Sequence, residues 1–201
     1  MRYGIEKAYF INLEIRLDRW NKILNQLPKL GITAERFQGY HINPGWEGCL
    51  MSHLEILKMC QKYQRFMIIE DDMLIQLDQP TLILDKVFDQ LPPDWDMLYL
   101  GANLMKDIKS YSSCLYRLKG AFCTHAIIYN NPDMVKKIIQ DLEARPYRID
   151  VYFRDEIQEK YKVFIPYPMI ATQADGVSNI TRSNQTYEMD MIENYFNHLL
   201  P

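Results

Sequence analysis

The sequence predicts an α/β domain, a mainly parallel sheet flanked by helices, and three observations carry the prediction. Strand-like segments and segments with helical apolar spacing take turns along most of the chain. One strand-like run, residues 65–70 (RFMIIE), hardly alternates and so reads as buried on both faces, the habit of a central parallel strand. The 201 residues, 48% of them hydrophobic, suffice for a substantial core and match the usual size of one domain, so residues 1–201 are assigned to a single domain.

Taken in order, a first strand is expected over residues 8–13. A helix follows over 17–30, where Trp20, Ile23, Leu24, Leu27 and Leu30 recur at helical spacing and Gly31 supplies the stop. Residues 34–40 (AERFQGY) read as a short strand, residues 47–63 as a second helix and residues 65–70 as the third strand. Beyond it, residues 81–91 are helical, LPPDW is a loop, and strands are expected over 96–102 and 125–130. Pro132 opens a helix running to Leu142 that turns Met134, Val135, Ile138, Ile139 and Leu142 inward. A last strand falls at 163–168. The tail from Ala171 is polar at first, then offers Met189, Ile192, Phe196 and Leu199 to a closing helix. No internal repeat, low-complexity tract or linker interrupts this order.

A formal net charge of -3 gives no general attraction to nucleic acid or an anionic membrane, so an anionic ligand must be held by a local cluster. The apolar run at 8–13, broken by Asn12, is too short for a signal-peptide core or a membrane span, and a cytoplasmic location is expected. Cys49, Cys60, Cys114 and Cys123 lack CxxC spacing and are expected reduced in a core. Glycosylation sequons at Asn179 and Asn184 matter only in a secretory compartment and are given no weight.

The stretch RFMIIEDDMLI places Glu70, Asp71 and Asp72 where a buried strand ends, and like charges at the mouth of an apolar core need a positive partner. In an extended chain Glu70 and Asp72 share a face while Asp71 points elsewhere. Such an acid-x-acid pair suits a hard divalent cation that bridges to a diphosphate. With no HExxH and no clustered Cys/His, Mn²⁺ or Mg²⁺ is the expected occupant rather than zinc. A solvated turn is the plainer alternative. Neither GxGxxG nor GxxxxGK[ST] is present, which argues against a dinucleotide oxidoreductase or P-loop NTPase.

Asn12, Arg16 and Arg19 leave the first strand beside the entrance of the first helix, where guanidinium forks and a helix N-terminus suit phosphate oxygens. Equally, the two arginines can be surface groups paired with Glu14 and Asp18. Glu47, Ser52 and His53 lie in a helix that otherwise reads as core, close in sequence to the acids. A lone helical histidine is more often a hydrogen-bonded core residue than a catalyst, and no Ser-His-Asp order points to a hydrolase triad.

Six segments in order, YFINLEIRLDRW, EGCLMSHLEILK, FMIIEDDMLI, DMLYLGA, GAFCTHAIIYNNPDMVKKII and PYRIDVYF, resemble glycosyltransferase family 25, from about Tyr9 to Ile180. That family includes bacterial lipooligosaccharide galactosyltransferases and collagen hydroxylysine galactosyltransferases. The resemblance implies a GT-A type fold, a UDP-sugar donor, usually UDP-galactose, Mn²⁺ at the acidic motif, and inversion at the anomeric carbon. It places Asn12, Arg16 and Arg19 near the nucleotide, with Glu47, Gly48, Ser52 and His53 in the family's GCxxSH segment. Glu70, Asp71 and Asp72 fall in its acidic motif, Asp72 as direct metal ligand and Glu70 or Asp71 holding the ribose or a second metal position.

Three departures stand out. The chain is short for the family, Trp46 occupies a position where a smaller residue is expected, and Gln173 and Asp175 stand where many GT-A enzymes complete the metal shell with a histidine. Gln173 is therefore the expected third metal ligand beside Asp72 and Glu70. Inversion by direct displacement needs a base on the acceptor side, and Asp150, which matches an aspartate of a family segment, is the candidate. Capping of a helix starting there is the competing role, and Asp155, Glu156 and Asp175 are substitutes. The acceptor is a glycan, a lipid-linked glycan or a peptide hydroxyl, met by loops such as 106–119 and by Tyr111, Tyr116 or Tyr147. Two other classes compete with a hexosyltransferase: a phosphohydrolase with a strand-end aspartate, and a non-catalytic nucleotide-sugar or glycan binding protein. Oligomeric state is open.

Overall fold

The computed structural model describes residues 2–177, 184–185 and 187–200. The sequon at Asn179 and the end of the family resemblance at Ile180 lie outside them. In chain order the elements are β1 (Lys7–Asn12), α1 (Leu17–Leu30), β2 (Glu35–Gln38), α2 (Gly45–Cys60), β3 (Phe66–Glu70), β4 (Met73–Ile75), α3 (Pro80–Gln90) and β5 (Met97–Tyr99). Short strands β6 (Asn103–Leu104), β7 (Ile108–Ser112), β8 (Leu115–Arg117) and β9 (Ala121–Phe122) precede β10 (Ala126–Tyr129) and α4 (Pro132–Ala144). Then come α5 (Ile149–Tyr152), a π-helical segment (Phe153–Ile157), α6 (Gln158–Lys160), β11 (Val163–Pro166), β12 (Ala171–Gln173), β13 (Gly176–Val177), β14 (Asn184–Gln185), α7 (Tyr187–Asn197) and β15 (Leu199–Leu200). The expected closing helix is α7, although Leu199 belongs to β15 rather than to it.

A nine-stranded sheet runs in the order β15-β7-β8-β11-β5-β10-β3-β1-β2. β2, β1 and β3 are mutually parallel, as are β5 with β11 and β7 with β15. β10 runs against both β3 and β5, and β8 runs against β11 and β7. The sheet is thus mixed, with β10 and β8 opposing a common direction shared by the other strands. Strand direction is set by the connections, and the short β6–β9 pairing returns the chain so that β10 enters from the opposite end.

Alternate side chains of the central strands feed two cores. Ile11, Ile68, Tyr99 and Ile127 join the apolar residues of α2 and α4, while Phe10, Met67, Leu98 and Ile128 join those of α1 and α3. Helices therefore cover both faces, which explains why the central strands show no alternation in sequence. α4 begins as its sequence suggests: Asn131 Oδ1 accepts hydrogen bonds from the Asp133 and Met134 amides at 2.9 and 3.0 Å.

The site is positioned by register. Ile11 is paired with Glu70, so β1 and β3 end together, and Ala126 is paired with Ile69, so the segment entering β10 arrives at the same end. The Glu70 amide donates to His125 O at 2.8 Å. Ligand sites in open α/β sheets gather at such carboxyl ends.

Candidate active site

At the end of β3 the chain turns at Asp71 and Asp72 before β4. The turn breaks strand alternation, so Asp71 does not point away as expected: Glu70, Asp71 and Asp72 all line one cavity, with Arg19, Tyr40, Cys49, Ser52, His53 and Gln173 around it. From α1, Arg19 Nη1 donates to Asp71 Oδ1 and to Asp72 Oδ2, each at 3.0 Å. Asn12, buried at the end of β1, donates through Nδ2 to Asp71 Oδ2 at 2.7 Å and to Arg16 O at 3.1 Å. Arg36 Nε donates to Asn12 Oδ1 at 3.2 Å. A buried amide and a guanidinium thus offset two adjacent carboxylates.

The three acids differ electrostatically. Burial raises Asp72, and the charges of Glu70 and Asp71 add to that, while Arg19 and the nearby Gln173 pull back; the carboxyl is pushed up to about 7. Asp72 Oδ1 is buried with no hydrogen-bond partner among the described residues. Burial also dominates at Asp71 and raises it, against Arg19 and Asn12. Burial works against the charged form of Glu70 too, yet hydrogen bonds from His53 and Thr124 outweigh it and hold this carboxyl below its ordinary value. His53 Nε2 lies 3.1 Å from Glu70 Oε1, and Thr124 Oγ1 donates to the same oxygen at 2.5 Å. His53 is fully buried, and its Nδ1 has no partner among the described residues.

α2 reaches this cavity through close backbone contact. Ser52 Oγ donates to Gly48 O at 2.7 Å and accepts from the Tyr40 amide at 2.9 Å, which ties the helix to the loop after β2. The role of Ser52 on this geometry is to hold that loop. Glu47, in the first turn of α2, is not among the residues lining the cavity. Arg16 pairs with Asp18 at 2.9 Å and lines a neighbouring groove that Arg19, Asp71, Asp72 and Asp175 also line.

A second cavity adjoins the first. Cys49, Glu70 and Gln173 line both, and the second is completed by Trp46, Asn103, Phe122, Cys123, Thr124, Arg148, Ile149 and Asp150. Asp150 is not the cap of α5: Arg148 holds that position, and Asp150 sits inside the first turn, its Oδ1 accepting from the Val151 amide at 2.9 Å. Burial raises its carboxyl above the ordinary value, against the nearby Arg148. The substitutes lie elsewhere: Asp155 pairs with Arg154, Glu156 with Lys160, and Asp175 lines the groove beside Arg16.

The expected acceptor aromatics also lie elsewhere. Tyr111 packs edge-on against Phe164, Tyr116 tilts against Tyr167, and Tyr147 lines a surface hollow beside α4. Residues 106–119 are occupied largely by β7 and β8 of the main sheet, so they are scaffold rather than loop. The aromatic walls of the second cavity are Trp46 and Phe122. Trp46 was visible in sequence as an oversized residue, whereas Thr124, Asn103 and Phe122 carried no signal. Among the cysteines, all without disulfides, Cys60 and Cys114 are core residues as expected, but Cys49 and Cys123 line the cavities.

No helix among the described residues is long and apolar enough to cross a membrane. No protein-family profile matches the chain, and no curated protein matches it by sequence. Its fold is similar to that of A197 from STIV, at 13% identity over 89% of this chain and 92% of that one, with a TM-score of 0.44. It is similar also to a glycosyltransferase involved in the glycosylation of the major capsid of PBCV-1, at 7% identity over 88% and 96% of the two chains, TM-score 0.48. HddC from Yersinia pseudotuberculosis gives 13% identity over 96% and 77%, TM-score 0.39.

Proposed function

We propose that this chain is a metal-dependent inverting hexosyltransferase that moves a hexose, galactose foremost, from a UDP-sugar to a hydroxyl of a glycan or of a hydroxylysine in a collagen-like protein. One observation carries the proposal: two cavities meet at Glu70, Cys49 and Gln173, with the acid cluster in the first and Asp150 in the second. A transfer by direct displacement needs this division, leaving group on one side and base on the other.

The donor set fits Mn²⁺ or Mg²⁺. Asp72 has a buried oxygen without a partner, and Gln173 and Glu70 offer further oxygens of the kind hard cations take. When bound, the ion neutralises the donor diphosphate and stabilises the departing UDP. Arg19 holds Asp71 and Asp72 in place and adds positive charge beside the phosphates. His53 and Thr124 fix the orientation of Glu70. Asp150, with its raised carboxyl, accepts the proton of the incoming hydroxyl in the second cavity, where Trp46 and Phe122 offer faces to an acceptor.

One observation favours a second reading, a non-catalytic nucleotide-sugar binding protein: Arg19 already bridges the two aspartates. Incubation of the purified chain with UDP-galactose and Mn²⁺, scored by UDP release with and without acceptors, separates the two. Transfer predicts release that EDTA abolishes and that Asp72→Asn removes without unfolding the protein. Donor binding with no release under any acceptor would establish the second reading.

A further inference from the structure

We infer that Cys49, His53 and Glu70 form a binding site for a thiophilic divalent cation, Zn²⁺ in the first instance, which shares Glu70 with the oxygen site proposed at Asp72 but adds a thiol and an imidazole. The inference does not rest on glycosyl transfer. Cys49 and His53 stand four residues apart on α2, so their side chains share one helix face. That face meets the end of β3, and one ligand atom from each of Cys49, His53 and Glu70 lies within 4.8 Å of the others.

The ring nitrogen of His53 that faces the trio is Nε2, 3.1 Å from Glu70 Oε1, a separation that two ligands of one cation can keep. A cation there takes the Nε2 lone pair in place of the contact with Glu70, and the ring hydrogen then lies on the buried Nδ1. A fully buried imidazole thus presents one nitrogen to the point that a thiol and a carboxylate also reach.

The donor types decide which cation. Thiolate and imidazole favour Zn²⁺ over Mn²⁺ or Mg²⁺, which prefer oxygen. Three protein ligands leave a fourth tetrahedral position, the arrangement of zinc sites that bind an exchangeable group. All three residues line the first cavity, so that position faces the space beside the acids. Binding forms the sulfur–metal bond as Cys49 gives up its thiol proton to solvent, and Thr124 serves as the outer partner orienting Glu70.

Titration of the purified protein with Co²⁺, a spectroscopic stand-in for Zn²⁺, tests the site. The expected result is a thiolate-to-cobalt charge-transfer band with the visible bands of four-coordinate Co²⁺, both erased by added Zn²⁺. Cys49→Ala should abolish the charge-transfer band, and His53→Gln should weaken affinity by about tenfold or more. Cys123→Ala should keep the band, because Cys123 lines the cavity without belonging to the trio. Absence of the band in the wild type, its survival in Cys49→Ala, or its loss in Cys123→Ala would each overturn the inference. Mn²⁺ binding followed by electron paramagnetic resonance separates the two sites: Asp72→Asn should lose Mn²⁺ and keep the cobalt band, and Cys49→Ala should do the reverse.

Discussion

Thr124 Oγ1 lies 2.5 Å from Glu70 Oε1, and this hydrogen bond joins the segment entering β10 to the end of β3. It connects two halves of the chain at the carboxylate shared by both cavities, so its removal should be felt in stability and in the ionisation of Glu70.

Thr124→Val removes the donor while keeping side-chain volume. Hydrogen bonds to charged groups are worth about 1.5–3 kcal/mol, and the variant should lose stability of that order near neutral pH. Glu70 is depressed in the folded state, so its contribution is present above the unfolded value and lost as pH falls through the folded one. The difference between wild type and variant, measured by urea denaturation, should therefore shrink as the pH is lowered through the acid range. A constant difference down to strongly acidic pH would mean that Glu70 is not the partner that matters.

Arg19→Ala strips the partner from two largely buried aspartates, and breaking a buried pair costs about 3–5 kcal/mol. A cation that takes over the neutralising role binds the variant more tightly relative to its unfolded chain. Thermal denaturation should show a lower midpoint for the variant and a larger upward shift on adding Mn²⁺ than in the wild type. Equal Mn²⁺ shifts in both proteins would count against a metal at Asp72.

Asp150→Asn keeps the size of the side chain and removes its basicity. Turnover at saturating acceptor should fall by a factor on the order of 100 or more while donor affinity, read by calorimetry with UDP, stays unchanged. The raised carboxyl of the wild type gives the rate an acid limb above the ordinary aspartate value, with activity lost as pH falls and the base protonates. A normal rate in the variant would leave Asp150 as a helix residue only.

A Cβ placed on Gly48 would overlap Tyr40 O, where α2 crosses the loop after β2. Overpacking of this kind costs about 1–3 kcal/mol, occasionally more. Gly48→Ala should lower the denaturation midpoint and weaken UDP binding together, because the displaced loop carries Tyr40 on the wall of the first cavity. Unchanged UDP affinity in a destabilised variant would remove that wall from the donor site.

Much of this arrangement could be read from sequence where a segment was long and its signal local. The apolar run of β3, the helical spacing of α1 and α4, and the crowding of Glu70, Asp71 and Asp72 all announced themselves. β4, β6 and β9 did not, being two or three residues long with no room for a pattern. The helical stretch from Ile149 to Lys160 was legible at its start, through Asp150, but its extent was not, although Ile149, Tyr152, Phe153 and Ile157 keep helical spacing and are buried. The reversed direction of β10 was invisible because Ala126–Tyr129 is four buried residues, which look alike read either way. The neighbours of Glu70 were hidden for the same reason: Thr124 and His125 meet it only through the β10–β3 pairing, more than fifty residues away in sequence.

The placement of β10 between β3 and β5 also governs how the chain can be made. Both neighbours leave the ribosome first, and each waits with an open edge of unpaired amides and apolar side chains until Tyr129 has followed. A chain halted before residue 126 carries two such edges and should associate with itself rather than fold. Thr124 and His125 arrive on the leading end of the same strand, so the insertion that seals the middle of the sheet also delivers the last contacts to Glu70. β11 and Gln173 follow later in the chain, so β5 keeps one open edge and the acid cavity lacks a wall until residues 163–173 have joined.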